Sequence, residues 1–236
     1  MKQKITKITD IVKAYNLLVK NIDEDASSSS IRAYGGVIRS GKGVLVEGMA
    51  KNLIEIAWKN IGGKSSRLSF ERNIISVPIQ KKYIDTLKEI EVRNYIKSNL
   101  EKYVYKFKTD IHVNLDKKLV MGIECKAYTE NAMIKRIMVD FTFFKKAHKN
   151  ASTVLLQLES QLGGDYSDLS KKITYGSFPT HTILSYFDVD LNIITLLEGE
   201  RRVDKPIHKK SFYKELKINS VERVVKLFKE LLKPYL

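Results

Sequence analysis

The spacing of hydrophobic positions switches between helical and strand periods along the chain, which predicts a mixed α/β fold. Apolar side chains recur at helical spacing in two segments near the N-terminus and in one at the C-terminus. A charged segment before the middle of the chain also has helical character. Helices are predicted over 7–22, 44–60, 80–102 and 220–232.

The middle of the chain has the clearest strand pattern. Two alternating segments flank Asp116-Lys117, a pair suited to a tight turn, and Thr129 is the predicted N-cap of a helix over 132–148. The order strand, strand, helix, strand predicts a central mixed β-sheet flanked by helices. Strands are predicted over 103–115, 118–127, 154–158 and 191–197.

Three segments break these patterns and are predicted to be loops. Residues 23–30 are acidic and serine-rich, which predicts a mobile loop or linker after the first helix. Residues 32–43 are glycine-rich and basic, and residues 175–181 combine an aromatic ring with hydroxyl groups. We expect one domain over 1–236, with a core of about 103–160.

Composition limits the classes to which the chain can belong. Of its 236 residues 43% are hydrophobic and 29% charged, as in ordinary globular proteins. We expect no membrane span, because no apolar run approaches about 18 residues. The N-terminus lacks the apolar stretch of a secretory signal, and the single cysteine fits a reducing compartment. These features predict a cytoplasmic protein.

The net charge of +15 is the main indication of a partner. Lysine and arginine favour polyanions, because neutralising phosphates releases condensed counterions. A lysine-rich composition inherited from an AT-rich genome is the alternative. The charge therefore favours nucleic acid without specifying it.

The strand pair carries the candidate chemistry. Side chains alternate along a strand, so Glu124 and Lys126 share one face and Cys125 points to the other. In a hairpin with the predicted turn, residues whose numbers sum to about 234 lie opposite each other, which places Asp110 across from Glu124. Gly122 leaves space for a phosphate. Such groups are costly to bury unless they hold a metal or perform chemistry.

Two carboxylates this close repel each other unless a divalent ion lies between them, and oxygen ligands suit Mg²⁺. Asp110, Glu124 and the backbone carbonyl of Cys125 are the predicted ligands. A metal there would activate water and stabilise charge on a phosphoryl group, and Lys126 would orient that water or contact the phosphate. The alternative is a surface hairpin with a salt bridge that contributes little to stability.

The acid-x-Lys pattern occurs elsewhere in the chain, at 116–118 in the predicted turn and at 215–217 in a charged segment. Neither copy has a flanking apolar strand pair or an aspartate opposite. The copy at 124–126 has both, which favours it as the functional one.

The pattern resembles the PD-(D/E)xK nuclease superfamily and, within it, the type II restriction endonucleases. The resemblance covers roughly 103–158 and implies that Asp110 is the first acidic ligand, Glu124 the second and Lys126 the motif lysine. The proline that often precedes the first aspartate is absent, because Thr109 stands there. The resemblance implies a restriction-endonuclease-like fold, with a helix packed on the sheet after the lysine strand.

Related nucleases often supply a further acidic group from an early helix. Glu47 is the candidate for this role, and Glu55 in the same predicted helix is its competitor. Glu47 borders the apolar face of that helix. The alternative is an ordinary solvated glutamate, which could have the same position.

Basic and polar side chains outside this centre are candidates for DNA contacts. A glycine-rich basic segment that leads into a helix suits a phosphate, and aromatic or hydroxyl side chains suit base edges. A plain surface loop is the alternative in each case. The candidates are Arg39, Lys42, His112, Lys135, Arg136, Tyr175, Ser177, Thr180 and His181.

Together these features predict a homodimeric, Mg²⁺-dependent type II restriction endonuclease that cuts double-stranded DNA at specific sites by hydrolysis. We expect no nucleotide cofactor, because the near match to a phosphate-binding loop at 36–43 has Gly43 where a serine or threonine would hold Mg²⁺. The alternatives are a structure-selective nuclease (junction resolvase or repair nuclease) and a non-catalytic basic DNA-binding protein.

Overall fold

A computed structural model describes residues 7–28, 34–163 and 178–236, with the backbone alone for 34–37, 39 and 40. Among these residues no helix is long and apolar enough to cross a membrane. The helices are α1 (Ile8–Ser28), α2 (Tyr34–Asn60), α3 (Lys81–Thr86), α4 (Ile90–Lys97), α5 (Asn131–Ala147), α6 (Phe178–Ser185) and α7 (Ile218–Leu232). The strands are β1 (Leu68–Glu71), β2 (Ile75–Pro78), β3 (Val104–Phe107), β4 (Ile111–Leu115), β5 (Lys118–Glu130), β6 (Ser152–Gln161) and β7 (Leu191–Thr195).

The central element is a five-stranded mixed sheet of order β1-β4-β5-β6-β7. Strands β1, β4 and β5 pair antiparallel, whereas β5, β6 and β7 pair parallel. Strands β2 and β3 form a separate antiparallel pair. Strands β4 and β5, helix α5 and strand β6 follow one another, which confirms the predicted mixed sheet and its order of elements.

The hairpin of β4 and β5 has the predicted turn. It also has the predicted register at its inner end, which is the end away from the turn. Asp116 and Lys117 both have positive φ, at 50° and 66°, as a two-residue turn of type I′ requires. Ile111 pairs with Ile123, and His112 pairs with Gly122. The register shifts by one residue only on the turn side of Val113, so the irregularity does not reach the inner end of the hairpin.

Helices cover both faces of the sheet. Helices α1, α2 and α7 share one apolar core with the odd-numbered side chains of β4 and β5, and α5 packs on the other face. Trp58 is fully buried in the first core and donates its indole N–H to the carbonyl of Lys64. On the α5 face, a Cβ on Gly122 would lie 2.6 Å from the ring of Phe144, so this glycine allows the helix to approach the strand.

The loop predicted over 23–30 is wrong for 23–28, where α1 continues, and 29–30 lie outside the described residues. Burial keeps this segment helical: Ile22 and Ala26 pack against Ile38 of α2. The Ser27 and Ser28 hydroxyls also donate to carbonyls one turn earlier, which satisfies them within the helix.

The loop predicted over 32–43 is wrong as well, because α2 begins at Tyr34 rather than at residue 44. Its glycines include Gly41, where a Cβ would lie 2.6 Å from the end of the Ile22 side chain. Gly41 therefore serves close packing between two helices. The predicted segment over 175–181 is helical from Phe178 onward.

The predicted strand over 103–115 is two strands. The first, β3, pairs with β2 outside the main sheet, and only β4 joins the hairpin. Thr129 is buried within β5 and is not an N-cap, since α5 begins at Asn131 after Glu130.

Candidate active site

Asp110 immediately precedes β4 and lies against the neighbouring strand β5. Its Oδ2 accepts hydrogen bonds from the backbone N–H of Cys125 at 2.9 Å and from Nζ of Lys126 at 3.0 Å. The carboxylate named from the sequence is therefore held opposite the Glu124–Lys126 pair. The predicted register of the hairpin produces this contact.

Lys126 is surrounded by acceptors. Its Nζ donates to Oε2 of Glu124 at 2.6 Å, in addition to Asp110, and lies 3.3 Å from the carbonyl oxygen of Cys125. The side chains are largely buried: 11% of Glu124, 15% of Asp110 and 27% of Lys126 is exposed. The two carboxylates and the carbonyl proposed as metal ligands thus converge on one ammonium group.

Burial and neighbouring charge shift the protonation of this centre. Burial raises the pKa of Glu124 to about 7; Lys126 lowers it and Asp110 raises it. Burial by itself lowers the pKa of Lys126, but the two adjacent carboxylates outweigh it and the net shift is upward. Lys126 is therefore a fixed cation at neutral pH, whereas Glu124 is poised to gain or lose a proton.

A second cation, Arg72, lies at the other side of Asp110. Its guanidinium donates to Oδ1 of Asp110 at 3.0 Å and lies 4.0 Å from Oε1 of Glu47. Glu47 on α2 therefore adjoins this centre, and its role as a further acidic group stays a prediction. Its competitor Glu55 lines a different cavity, beside Trp58.

Arg72 was not predicted from the sequence. It follows β1, which pairs with β4 through Glu71 and His112, and this pairing places Arg72 beside Asp110. The two strands are about 40 residues apart in sequence, and no local spacing indicates that they meet. An arginine directly after a short strand was the only available signal.

The centre opens into a cleft of about 430 Å³ between α5 and strand β3. Aromatic rings of β3 line one side, where the Tyr105 ring stacks on that of Phe107 with centroids 5.9 Å apart. Arg136 and Asp140 of α5 lie on the opposite side, and burial raises the pKa of Asp140. The cleft combines apolar surface with cations, a combination suited to sugar, base and phosphate groups.

The donor set fits a hard divalent cation. Two carboxylates and one carbonyl are the oxygen ligands that Mg²⁺ prefers, and Mg²⁺ commonly takes one or two protein carboxylates together with water and phosphate oxygens. The described residues contain no group of three or more His, Cys, Asp or Glu side chains arranged for a metal. Two carboxylates and one carbonyl leave the other positions around such a cation to water and substrate oxygens.

Three of the side chains predicted to contact DNA are buried. His112 is 2% exposed between β1 and α5, where its ring lies 6.3 Å from that of Phe144. Lys42 is 8% exposed with its Nζ 3.3 Å from Nδ1 of His208. Thr180 is fully buried and donates to Leu162. The prediction of direct DNA contacts is wrong for these three, because their polar atoms are not at the surface.

The remaining DNA candidates stay predictions. Lys135 and Arg136 are exposed on α5, and Arg136 lines the cleft of the candidate centre. His181 is exposed on α6. Tyr175, Ser177 and the side chain of Arg39 lie outside the described residues.

Comparison with known proteins gives the family. The chain is 45% identical, over 231 residues, to the type II restriction enzyme DdeI of Desulfomicrobium norvegicum, and the match covers 96% of each chain. The chain belongs to the type II restriction enzymes. The function predicted from the sequence is thereby confirmed, and the enzyme is a site-specific deoxyribonuclease.

Two further comparisons complete the picture for this restriction enzyme. No protein-family model matches the chain. Among solved structures, the native BbvCI A2B2 tetramer at low resolution aligns over 97% of this enzyme and 89% of that chain, with a TM-score of 0.40 and 10% identity.

Proposed function

We propose that Asp110, Glu124 and Lys126 are the catalytic centre of this restriction enzyme, which places it in the PD-(D/E)xK superfamily. The observation that carries the proposal is the convergence of both carboxylates on Lys126 Nζ, at 3.0 and 2.6 Å, at the side of an open cleft. Burial also raises the pKa of Glu124 to about 7, and shifted carboxylates in clefts are typical of functional sites.

Mg²⁺ is the proposed cofactor, held by Asp110, Glu124 and the carbonyl of Cys125. The ion would supply Lewis-acid stabilisation of the phosphate and an activated water. Lys126 contributes as a charged donor, because its acidic neighbours keep it protonated, and it is placed to orient the water or hold a phosphate oxygen. Glu47 is the proposed further acidic group, since it shares Arg72 with Asp110.

The proposal extends to the whole chain. Residues 1–236 form one nuclease domain whose core spans about 103–160, and this domain acts on double-stranded DNA as a homodimer. Two identical centres related by a twofold axis would cut the two strands of a palindromic site. Lys135 and Arg136 on α5 are the proposed backbone contacts, and the single cysteine favours a cytoplasmic site of action.

Digestion of plasmid DNA tests the proposal. With Mg²⁺ the enzyme should give discrete fragments whose sequenced ends share one motif, and Asp110→Asn should abolish cutting while retaining DNA binding in Ca²⁺. Full activity in that variant would place the catalytic centre elsewhere. A preference for four-way junctions over linear duplex would contradict site-specific cutting.

A further inference from the structure

Arg72 binds a carboxylate, that of Asp110, for which a catalytic metal ion would compete. Its guanidinium bonds one oxygen of Asp110, while Lys126 and the N–H of Cys125 bond the other. Arg72 also approaches Glu47, so it bridges two carboxylates of the proposed centre. Oδ2 of Asp110 thus has two donors and Oδ1 has one, so a cation that ligates Asp110 through Oδ1 lies next to the positively charged guanidinium of Arg72.

The two cations differ in their freedom to move. Lys126 is mostly buried and remains anchored by Glu124. Arg72 has a side chain 49% exposed and lies in the irregular segment between β1 and β2. A guanidinium does not deprotonate in proteins, so it cannot yield its place by losing its charge. Arg72 is therefore the cation beside Asp110 that can leave with the smaller rearrangement.

The charges around Asp110 also favour displacement of Arg72 by a divalent ion. Three carboxylates, Asp110, Glu124 and Glu47, surround the two cations, so Arg72 offsets acidic repulsion in this state. A divalent ion supplies that positive charge and repels the guanidinium. Arg72 also lines the cleft in which the DNA strand would lie, and its planar donors match phosphate oxygens.

We propose that Arg72 is an exchangeable counter-ion: it pairs with Asp110 and Glu47 in the metal-free enzyme, and transfers to a DNA phosphate in the cleft when metal binds. The proposal rests on the catalytic centre proposed above. It makes Arg72 a substrate-binding residue whose contact with DNA depends on the metal.

Two binding measurements on Arg72→Gln test this exchange without reference to cleavage. In the absence of DNA, Mn²⁺ titration followed by electron paramagnetic resonance should show about 2- to 5-fold tighter binding than in the parent, because a competing ion pair is gone. In Ca²⁺, the slope of log affinity for DNA against log salt should become shallower by about 0.9, the contribution of one phosphate contact. In EDTA that slope should not change, because Arg72 is then held by the carboxylates.

Matched variants distinguish the effect of the Arg72 charge from a general effect of removing a surface cation. Lys97→Gln removes a cation of similar exposure that pairs with Asp85 on the surface, and it should leave both measurements as in the parent. Arg72→Lys should keep the salt slope near that of the parent, because the charge remains. Equal Mn²⁺ affinity in Arg72→Gln and the parent, or an equal change of slope in Ca²⁺ and EDTA, would overturn the proposal.

Mn²⁺ binding by the carboxylate variants distinguishes a misplaced catalytic centre from a failure of the Arg72 exchange. If Asp110→Asn and Glu124→Gln bind Mn²⁺ like the parent, the catalytic centre itself is misplaced. If both variants lose Mn²⁺ while Arg72→Gln behaves like the parent, the centre stands and the exchange alone is refuted.

Discussion

Replacing Lys126 by methionine isolates the electrostatics of the proposed centre. The substitution keeps an unbranched apolar side chain but removes the ammonium that lies 2.6 Å from Glu124 and 3.0 Å from Asp110. The two carboxylates then face each other with only Arg72 as a cationic partner of Asp110. We expect the metal-free enzyme to lose stability in a pH-dependent manner.

The magnitude follows from the burial of the carboxylates. Removing one partner of a fully buried ion pair costs about 3–5 kcal/mol. Glu124 and Asp110 are 11% and 15% exposed, and Arg72 still neutralises part of the charge, so we expect about 2–3 kcal/mol above neutral pH.

The sign of the pH dependence follows from Glu124. Its pKa is raised to about 7, chiefly by burial, and Lys126 lowers it, so Lys126→Met raises it further. A carboxyl group with a raised pKa contributes stability that is full below its ordinary value of 4.5 and is lost as pH rises through the folded value. The penalty of the substitution should therefore be about 1 kcal/mol at about pH 5 and should grow as pH rises, to its full size above the higher pKa that Glu124 has in the variant.

Urea unfolding measures this directly, with the fluorescence of Trp58 as the signal, since it is the only tryptophan and is fully buried. Lys97→Met, which removes an exposed lysine, should change stability by less than about 0.5 kcal/mol at either pH. Ca²⁺ should restore part of the stability lost in Lys126→Met. An equal loss at about pH 5 and pH 8 would refute the electrostatic reasoning.

Two further predictions concern packing and burial. Gly122→Ala should destabilise the enzyme by about 1–3 kcal/mol, because its Cβ would lie 2.6 Å from the Phe144 ring. The control is Gly43→Ala on helix α2, where a Cβ meets nothing within 4 Å and no such loss is expected. Equal effects of the two substitutions in urea unfolding would contradict this prediction. Burial lowers the pKa of Lys42 to about 8, so its stabilising contribution is present above the ordinary 10.5 and is lost as pH falls through about 8. Lys42→Met should therefore gain about 1–3 kcal/mol at about pH 7 and lose this advantage towards pH 10; a less stable variant at pH 7 would contradict it.

The hairpin and the side chains that it brings together could be predicted from the sequence because both are local. Alternation fixes the faces of Glu124 and Lys126, and the turn at Asp116-Lys117 fixes the register that brings Asp110 opposite. The register shift falls between that turn and the proposed catalytic residues. A shift of one residue at the inner end would have turned the same side chains to the other face.

The parts that could not be predicted depend on contacts between distant segments. Arg72 reaches Asp110 only because β1 pairs with β4, and α1 continues beyond residue 22 only because α2 packs on it. Lys42 and Thr180 have polar side chains typical of a surface, yet tertiary packing buries both. The local sequence pattern does not indicate which distant segments pack together.

The most direct test of the catalytic centre is the single-turnover cleavage rate of Glu124→Gln on a duplex carrying the enzyme's own site. Glutamine keeps the shape of the side chain and one acceptor oxygen but removes the charge that would ligate the metal. We predict a fall of at least about 100-fold in Mg²⁺, with DNA affinity in Ca²⁺ within a few fold of the parent. Cleavage at the parental rate would show that the chemistry takes place elsewhere in the molecule.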